Sequence, residues 1–302
     1  MADERGIITF VYRGGDRDTV PLYATHITIH ETVKVIKAEA FYQHPNIIEV
    51  SCHIGVIKIC AWAFGDCPRL KRVIMLGVED VGRGAFDRCI ALTNVECNKL
   101  EKIGQRAFHG CRSLISIDLP SAKSVEDYAF NACKDLKNAR FGKYLRRIEL
   151  WAFSGCLSLE RIALPLKNGL IPHDNTFKDC ENLNSVDLVE IEALNETIDA
   201  LLLEEWKIDM RTEINSINQI LPNTYAGGYN AEEVTYDDGE KALRIWQWMS
   251  NLLLKIFEYK GSHRRIVEGA AEILQVALPH DTVTTNILPF LDLPSDSNSN
   301  DG

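Results

Sequence analysis

Over the first two thirds of the chain, apolar and polar positions recur every 22 to 24 residues. Phe41, Phe64, Phe86, Phe108, Phe130, Phe153 and Phe177 are separated by steps of 23, 22, 22, 22, 23 and 24 residues. An apolar residue stands five before the first six (Ile36, Ile59, Val81, Ile103, Val125, Ile148). Another stands eight before (Val33, Val56, Val78, Leu100, Leu145), with Ala122 the small exception. Three past each phenylalanine comes a cysteine (Cys67, Cys89, Cys111, Cys133, Cys156, Cys180), except that His44 takes its place in the first copy. Apolar residues follow six, nine and eleven past, as in Leu114, Ile117 and Leu119.

The nine-to-eleven alternation has the period of two of a strand. The Ala-Phe-x-x-Cys segment predicts a short helical turn that drops two side chains inward. One such unit cannot fold by itself. Each buried Phe, Leu or Ile contributes roughly 1.5–3 kcal/mol, against an ordering entropy of ~1–2 kcal/mol per residue. Stacking of units into a solenoid with one parallel sheet follows.

The run Ile103-Gly-Gln-Arg-Ala-Phe-His-Gly-Cys-Arg-Ser-Leu-Ile-Ser-Ile-Asp-Leu-Pro120 resembles the BspA-type leucine-rich repeat. The resemblance covers residues 33–188 as seven copies. It implies a right-handed solenoid used for protein–protein contact, a repeat much expanded in some protists. The C-terminal half resembles the helical tail of diatom members. Some members act at cell surfaces, so a structural or adhesive surface protein is the alternative role. Two copies depart from the pattern. The first has His44 for Cys, and the last has Thr176 for Ala with Pro172 five before its Phe, which predicts distorted packing.

The flanks read differently. Residues 1–32 hold two β-rich runs, Gly6–Tyr12 and Tyr23–Ile29, expected to pair as a hairpin that caps the open edge of the first coil. After Leu188 the period becomes helical. Asn195 is the expected N-cap of a helix whose stripe is Leu202, Trp206, Met210, Ile214, Ile217 and Leu221. Asn195-Glu-Thr197 is a glycosylation sequon by spelling and a cap by this reading. A polar loop follows, then a second helix from about Glu240 to Ala277 in a 4-3 rhythm. Its seam is Ala242, Trp246, Met249, Leu253, Ile256, Val267, Ala270, Leu274 and Ala277, with Lys260 and His263 polar in the same register. The fold class is therefore α+β: a leucine-rich-repeat solenoid followed by an α-helical hairpin or coiled-coil region over residues 189–294. The hairpin's base is expected on the last coil, with a homodimer through these helices as the alternative. Asn286–Pro294 is expected to fold back onto a helix or the solenoid, and residues 295–302 to be disordered.

Charge narrows the partners. Residues 1–188 carry 25 Lys+Arg and 23 Asp+Glu, or +2, and residues 189–302 carry 8 and 20, or −12, which sum to the chain's −10. That balance argues against nucleic acid, whose nonspecific binding rests on clustered basic residues. One basic cluster stands apart (Lys134, Lys137, Arg140, Lys143, Arg146, Arg147), a match for an acidic partner or for the acidic half of another copy. The first fifteen residues do not read as a secretory leader and no stretch is long enough to span a membrane, so a cytoplasmic location is expected. In that setting the repeat cysteines are reduced core fillers. No phosphate loop, nucleophile elbow or zinc-protease motif occurs, so no cofactor or metal is expected and no enzyme.

Chemistry that varies from copy to copy lies on the exposed strand positions. Eight past each phenylalanine stand Glu49, Arg72, Asn94, Ser116, Asn138, Arg161 and Ser185. Ten past stand Ser51, Ile74, Glu96, Asp118, Arg140, Ala163 and Asp187. Mixed signs and sizes on one sheet suit recognition of a protein surface, and an equally simple reading is a solvated face.

Overall fold

A computed structural model describes residues 7–15, 20–171, 174–224 and 240–277. The expected distortion at Pro172, most of the loop after Pro222, and the segments Asn286–Pro294 and Ser295–Gly302 lie outside these. Two compact units emerge: Met1–Val189 with Asn218–Trp246, and Glu190–Ile217 with Gln247–Gly302.

The first unit is a parallel β-solenoid. One face carries the strands Thr9–Tyr12, His26–Ile29, Glu49–Ser51, Arg72–Ile74 and Asn94–Glu96, hydrogen-bonded in that order. Ser116–Leu119, Asn138–Phe141, Arg161–Leu164 and Ser185–Leu188 follow as a second set. A second face, absent from the sequence-based expectation, is built of two-residue strands. These run from Val35–Ile36 to Arg147–Ile148, and each includes the apolar residue five before a phenylalanine. All pairings are parallel with matched repeat positions, as in Ser116↔Asn138↔Arg161↔Ser185.

The N-terminal runs correct the hairpin expectation. Thr9–Tyr12 pairs with His26–Ile29 in parallel, Phe10 opposite Ile27, and His26–Ile29 pairs onward with Glu49–Ser51. A hairpin would need an antiparallel pair. The connection of thirteen intervening residues instead returns the chain to the same edge, so the segment forms further rungs of the sheet it was expected to cover.

The expected short helical turn is found in the last copy, as the 3-10 turn Asp174–Phe177, and is corrected in the earlier ones. A helix would send each N–H to a carbonyl four residues back. Here alternate amides leave the coil. Those of Trp62, Phe64 and Asp66 donate to the carbonyls of Arg83, Ala85 and Asp87 in the next coil, while Ala63 and Gly65 donate to Cys60 and Trp62 in their own. The alternation is made by left-handed residues two before and two after the phenylalanine: Trp62 and Asp66 (φ 58° and 54°), Tyr128 and Ala132 (both 58°). Each non-glycine residue there costs roughly 1–2 kcal/mol, and inter-coil hydrogen bonds oppose that cost.

Inside, the seven phenylalanines form one ladder with ring centroids 4.7 to 5.7 Å apart. The last step is the longest and most tilted, 5.7 Å and 22° between Phe153 and Phe177. The repeat cysteines do more than fill space. Each thiol donates to the carbonyl of the preceding coil's phenylalanine: Cys67 to Phe41 (3.1 Å), Cys111 to Phe86 (3.2 Å), Cys180 to Phe153 (3.1 Å). His44 stands in for the missing cysteine, its Nε2 3.1 Å from the carbonyl of Pro21. The last coil has no successor to bond, and two helical residues close it. Asn218 Oδ1 accepts the Val186 N–H (2.9 Å), and buried Lys241 Nζ donates to the carbonyls of Glu181 (2.9 Å) and Leu183 (2.7 Å). Burial pushes the Lys241 amine below its usual range.

The second unit is helical. Helix α1 (Ile191–Asp199) starts at Glu190, whose φ of 61° breaks the preceding strand. Asn195 thus lies inside a helix and caps nothing. After a break at residues 200–203, α2 (Glu204–Ile220) begins, and α3 (Glu240–Ala277) runs unbroken through Gly261. Within this unit α2 and α3 run antiparallel. Trp248 Nε1 donates to the Glu213 carbonyl (2.8 Å), Lys255 bridges Asp209 and Glu213 (both 3.0 Å), and Trp206 stacks on Tyr259 at 5.3 Å. The seam is wider than the expected one, whose Ala242, Met249 and Val267 are buried. Leu202 and Trp246 are about two-fifths exposed, whereas Ile245, Trp248 and Leu252 are buried. Residues of two adjacent stripes of α3 are thus buried together, and the bond from Trp248 to Glu213 belongs to the one rotated by a residue. None of the described helices is long and apolar enough to cross a membrane.

Candidate functional site

The strand face brings the fourteen expected residues into two columns. Glu49, Arg72 and Asn94 are direct neighbours across the sheet, as are Ser51, Ile74 and Glu96. In the second set Ser116, Asn138, Arg161 and Ser185 align, and so do Asp118, Arg140, Ala163 and Asp187. None is buried: Arg72, Asn94, Ser116, Asp118, Asn138, Arg140 and Arg161 are exposed and the others half-buried. Period-two alternation forces this arrangement, because the residue between each pair points into the core.

Part of the sign mixture on this face is satisfied internally. Arg72 pairs with Glu96 (2.6 Å) and reaches Glu49 (3.9 Å), and Arg161 pairs with Asp187 (3.0 Å). Exposed pairs of this kind contribute ~0–1 kcal/mol, so a partner can rearrange them at small cost. Of the basic cluster, Arg147 pairs with Glu149 (2.9 Å), while Lys134, Lys137, Arg140 and Arg146 are exposed. Among the described residues no group of three His, Cys, Asp or Glu is placed to hold a metal.

A second arrangement, not expected from the sequence, lies on the turns around the phenylalanines. Tyr42, Trp62, Asp66, Arg83, Arg88 and Arg106 line an open recess of about 190 Å³ with Asp87 at its floor. It exists because two coils carry glycine where others carry side chains. A Cβ at Gly84 (φ +59°) would meet the Trp62 ring at 2.9 Å, and one at Gly65 would meet the same ring at 2.9 Å and Tyr42 at 3.1 Å. The indole thus lies across a gap left by both. Tyr42 meets it edge-on at 6.0 Å and donates its hydroxyl to Asp66 (3.3 Å). The Tyr42 hydroxyl is held above its ordinary pKa, by desolvation first and then by Asp66.

The Asp87 side chain is 2% exposed and anchors the floor. Its two oxygens take His109 Nδ1 (2.8 Å) and Arg106 Nε (3.3 Å) from the next coil. Arg83 and Arg88 are exposed and have no carboxylate within ion-pair distance among the described residues. The available signal in the sequence was Trp62 two before its phenylalanine, followed by Gly84 at the same position in the next copy. That position reads as solvent in a helical turn and as an ordered, outward-facing ladder in this one. Farther along, Tyr128 and Trp151 occupy it too and stack at 6.2 Å, with Lys178 Nζ 5.1 Å from the Trp151 ring centroid.

Solved structures similar to this chain include leucine-rich-repeat proteins. One from Bacteroides ovatus is 31% identical over 47% of this chain and 37% of its own, so little more than a third of that chain is spanned, with a TM-score of 0.45. The leucine-rich-repeat protein of T. pallidum is 22% identical over 61% of this chain and 71% of its own, with a TM-score of 0.37. A leucine-rich cell surface protein from Faecalibacterium prausnitzii is 17% identical over 55% and 79%, with a TM-score of 0.22. No curated protein matches the chain. The BspA-type leucine-rich-repeat region, in six copies, matches residues 22–122 and 101–232. Seven stacked phenylalanines, cysteines bonded back to the preceding coil and a match over more than half the length agree: the chain belongs to the BspA-type leucine-rich-repeat family.

Proposed function

We propose that this protein is a non-enzymatic interaction scaffold that binds a partner protein on the strand face of its solenoid. Leucine-rich-repeat folds of this family serve generally as scaffolds for protein–protein interaction or adhesion. The observation that carries the finer reading is the register of the two columns. It sets variable residues side by side on a rigid sheet, with none lost to the core. Because the backbone beneath these residues is already ordered in a sheet, only side chains need ordering on binding. The centre of the second set, Asn138, Arg140 and Arg161 with Lys137 beside them, is basic and fits an acidic partner surface. Homodimerisation through the helices and a cytoplasmic location are parts of the same proposal. The first would place two such faces in one assembly.

The test uses the full chain, since truncation near Val189 would remove Asn218 and Lys241 from the last coil. R140E with R161E, on the strand face, is compared with K58E and K102E on the second face, by quantitative affinity purification. Selective loss of partners with the first pair is the expected result. Equal loss with both pairs, or retention with the first, would sink the strand-face assignment. Sedimentation of the same proteins reads the dimer.

A further inference from the structure

We infer that the turn-face recess is a binding site for a carboxylated sugar residue, a uronic acid, independent of the strand face. Three features converge on that chemistry. Trp62 offers an aromatic plate, and a plate without polar atoms on its face suits the C–H face of a pyranose ring. Arg83 and Arg88 offer planar donor forks that match a carboxylate bidentately and have no acidic partner of their own among the described residues. Asp66, at the rim, is an acceptor for sugar hydroxyls beside the Tyr42 hydroxyl it already receives.

Charge and size limit the class further. Arg83, Arg88 and Arg106 set against Asp66 and Asp87 leave one net positive charge, which suits a monoanion. The recess, about 190 Å³ and open on its outer side, has room for a sugar ring. An acidic protein side chain would use the arginines and leave the indole and Asp66 without a role.

The floor makes the site pre-formed. Asp87, buried and held to both His109 and Arg106, fixes Arg106 against the recess before any ligand arrives. The left-handed backbone at Trp62, Arg88 and Arg106 (φ 58°, 56° and 58°) sets their direction outward in the same way.

The experiment titrates the full chain with sodium glucuronate, glucose and sodium glutarate, reading tryptophan fluorescence and calorimetric heat, with W62F to assign the optical signal. Glucuronate is expected to bind saturably with a dissociation constant of about 1 mM, ordinary for so small a ligand. Glucose and glutarate should each be at least about tenfold weaker, since one lacks the carboxylate and the other the ring. R88A should weaken glucuronate about tenfold while leaving the melting temperature in place, because Arg88 is exposed. An oligouronate compared with the monomer distinguishes a polysaccharide source from a free sugar acid: stronger binding per chain indicates the former, equal binding the latter, and either supports the site. Glutarate equal to glucuronate would replace the sugar by an acidic peptide and overturn the inference. Absence of saturation to about 30 mM, or binding unchanged in R88A, would overturn it as well.

Discussion

Truncating neighbouring phenylalanines should reveal the ladder as a chain of pairwise contacts. Phe86, Phe108 and Phe130 are fully buried, with successive centroids 5.2 and 5.3 Å apart and rings nearly parallel. Phe→Ala in such a core costs about 3–5 kcal/mol, and two of them would exhaust a total stability of about 5–15 kcal/mol. Phe→Leu, at roughly 1–2 kcal/mol by the smaller volume lost, keeps the double variants folded. A stacked aromatic pair is worth about 0.5–1.5 kcal/mol beyond burial. F86L with F108L should therefore cost less than the sum of the singles by about that amount, since the first substitution already removes the stack. F64L with F153L, four coils apart, should add within ~0.5 kcal/mol. Chemical denaturation followed by the β-sheet circular dichroism signal gives both cycles. Additivity in the adjacent pair, or equal coupling in the distant one, would refute a nearest-neighbour ladder.

Three further outcomes are expected. Burial pushes the Cys67 thiol up to about 12 from about 9, so its contribution to stability is complete below pH 9 and is lost as pH rises toward 12; C67A should flatten the decline in unfolding free energy between pH 9 and 10 by up to ~1.4 kcal/mol, and an unchanged slope would contradict this. K241M leaves the carbonyls of Glu181 and Leu183 without their donor and should cost about 1–3 kcal/mol, with faster hydrogen exchange in Ser185–Leu188 and none in Glu49–Ser51. D87N weakens the hold on Arg106 and His109 and should lower stability by about 1–3 kcal/mol in thermal or urea unfolding, whereas an unchanged midpoint would show that the buried carboxylate anchors nothing.

How far the sequence disclosed this molecule depends on which physical signal each element obeys. The strand columns were readable because Val50, Ile117 and Ile162 must point inward, and period two then fixes their neighbours. The turn conformation was not, because Trp62, Arg106 and Tyr128 occupy left-handed positions that propensity assigns to glycine. Only the stacked coil, with amides pairing across to its neighbour, makes that backbone favourable. The recess was missed for the same reason, since it depends on that turn and on Gly65 and Gly84 side by side with Trp62. In the helices, Leu201, Leu202 and Leu203 carry apolar character straight across the break between α1 and α2, so periodicity ran through it. Burial of the second stripe of α3, with Trp248 bonded to the Glu213 carbonyl, was invisible to a single hydrophobic pattern.

The most direct test of the account is disulfide trapping of its register. Ser116 and Asn138 are exposed parallel partners on adjacent strands, where Cα atoms lie about 4.8 Å apart, within the ~4.4–6.8 Å span of a disulfide. Eight native thiols are buried and Cys60 is half-buried, so with Cys60 replaced by Ser in both variants mild oxidation addresses the introduced pair. S116C with N138C should cross-link rapidly, seen as a loss of two hydrogens in intact mass and one bridged peptide. S116C with R140C, two residues out of step and about 8 Å apart by strand geometry, should not. Fast bridging of the second pair and not the first would contradict the parallel register on which the columns and the recognition face depend.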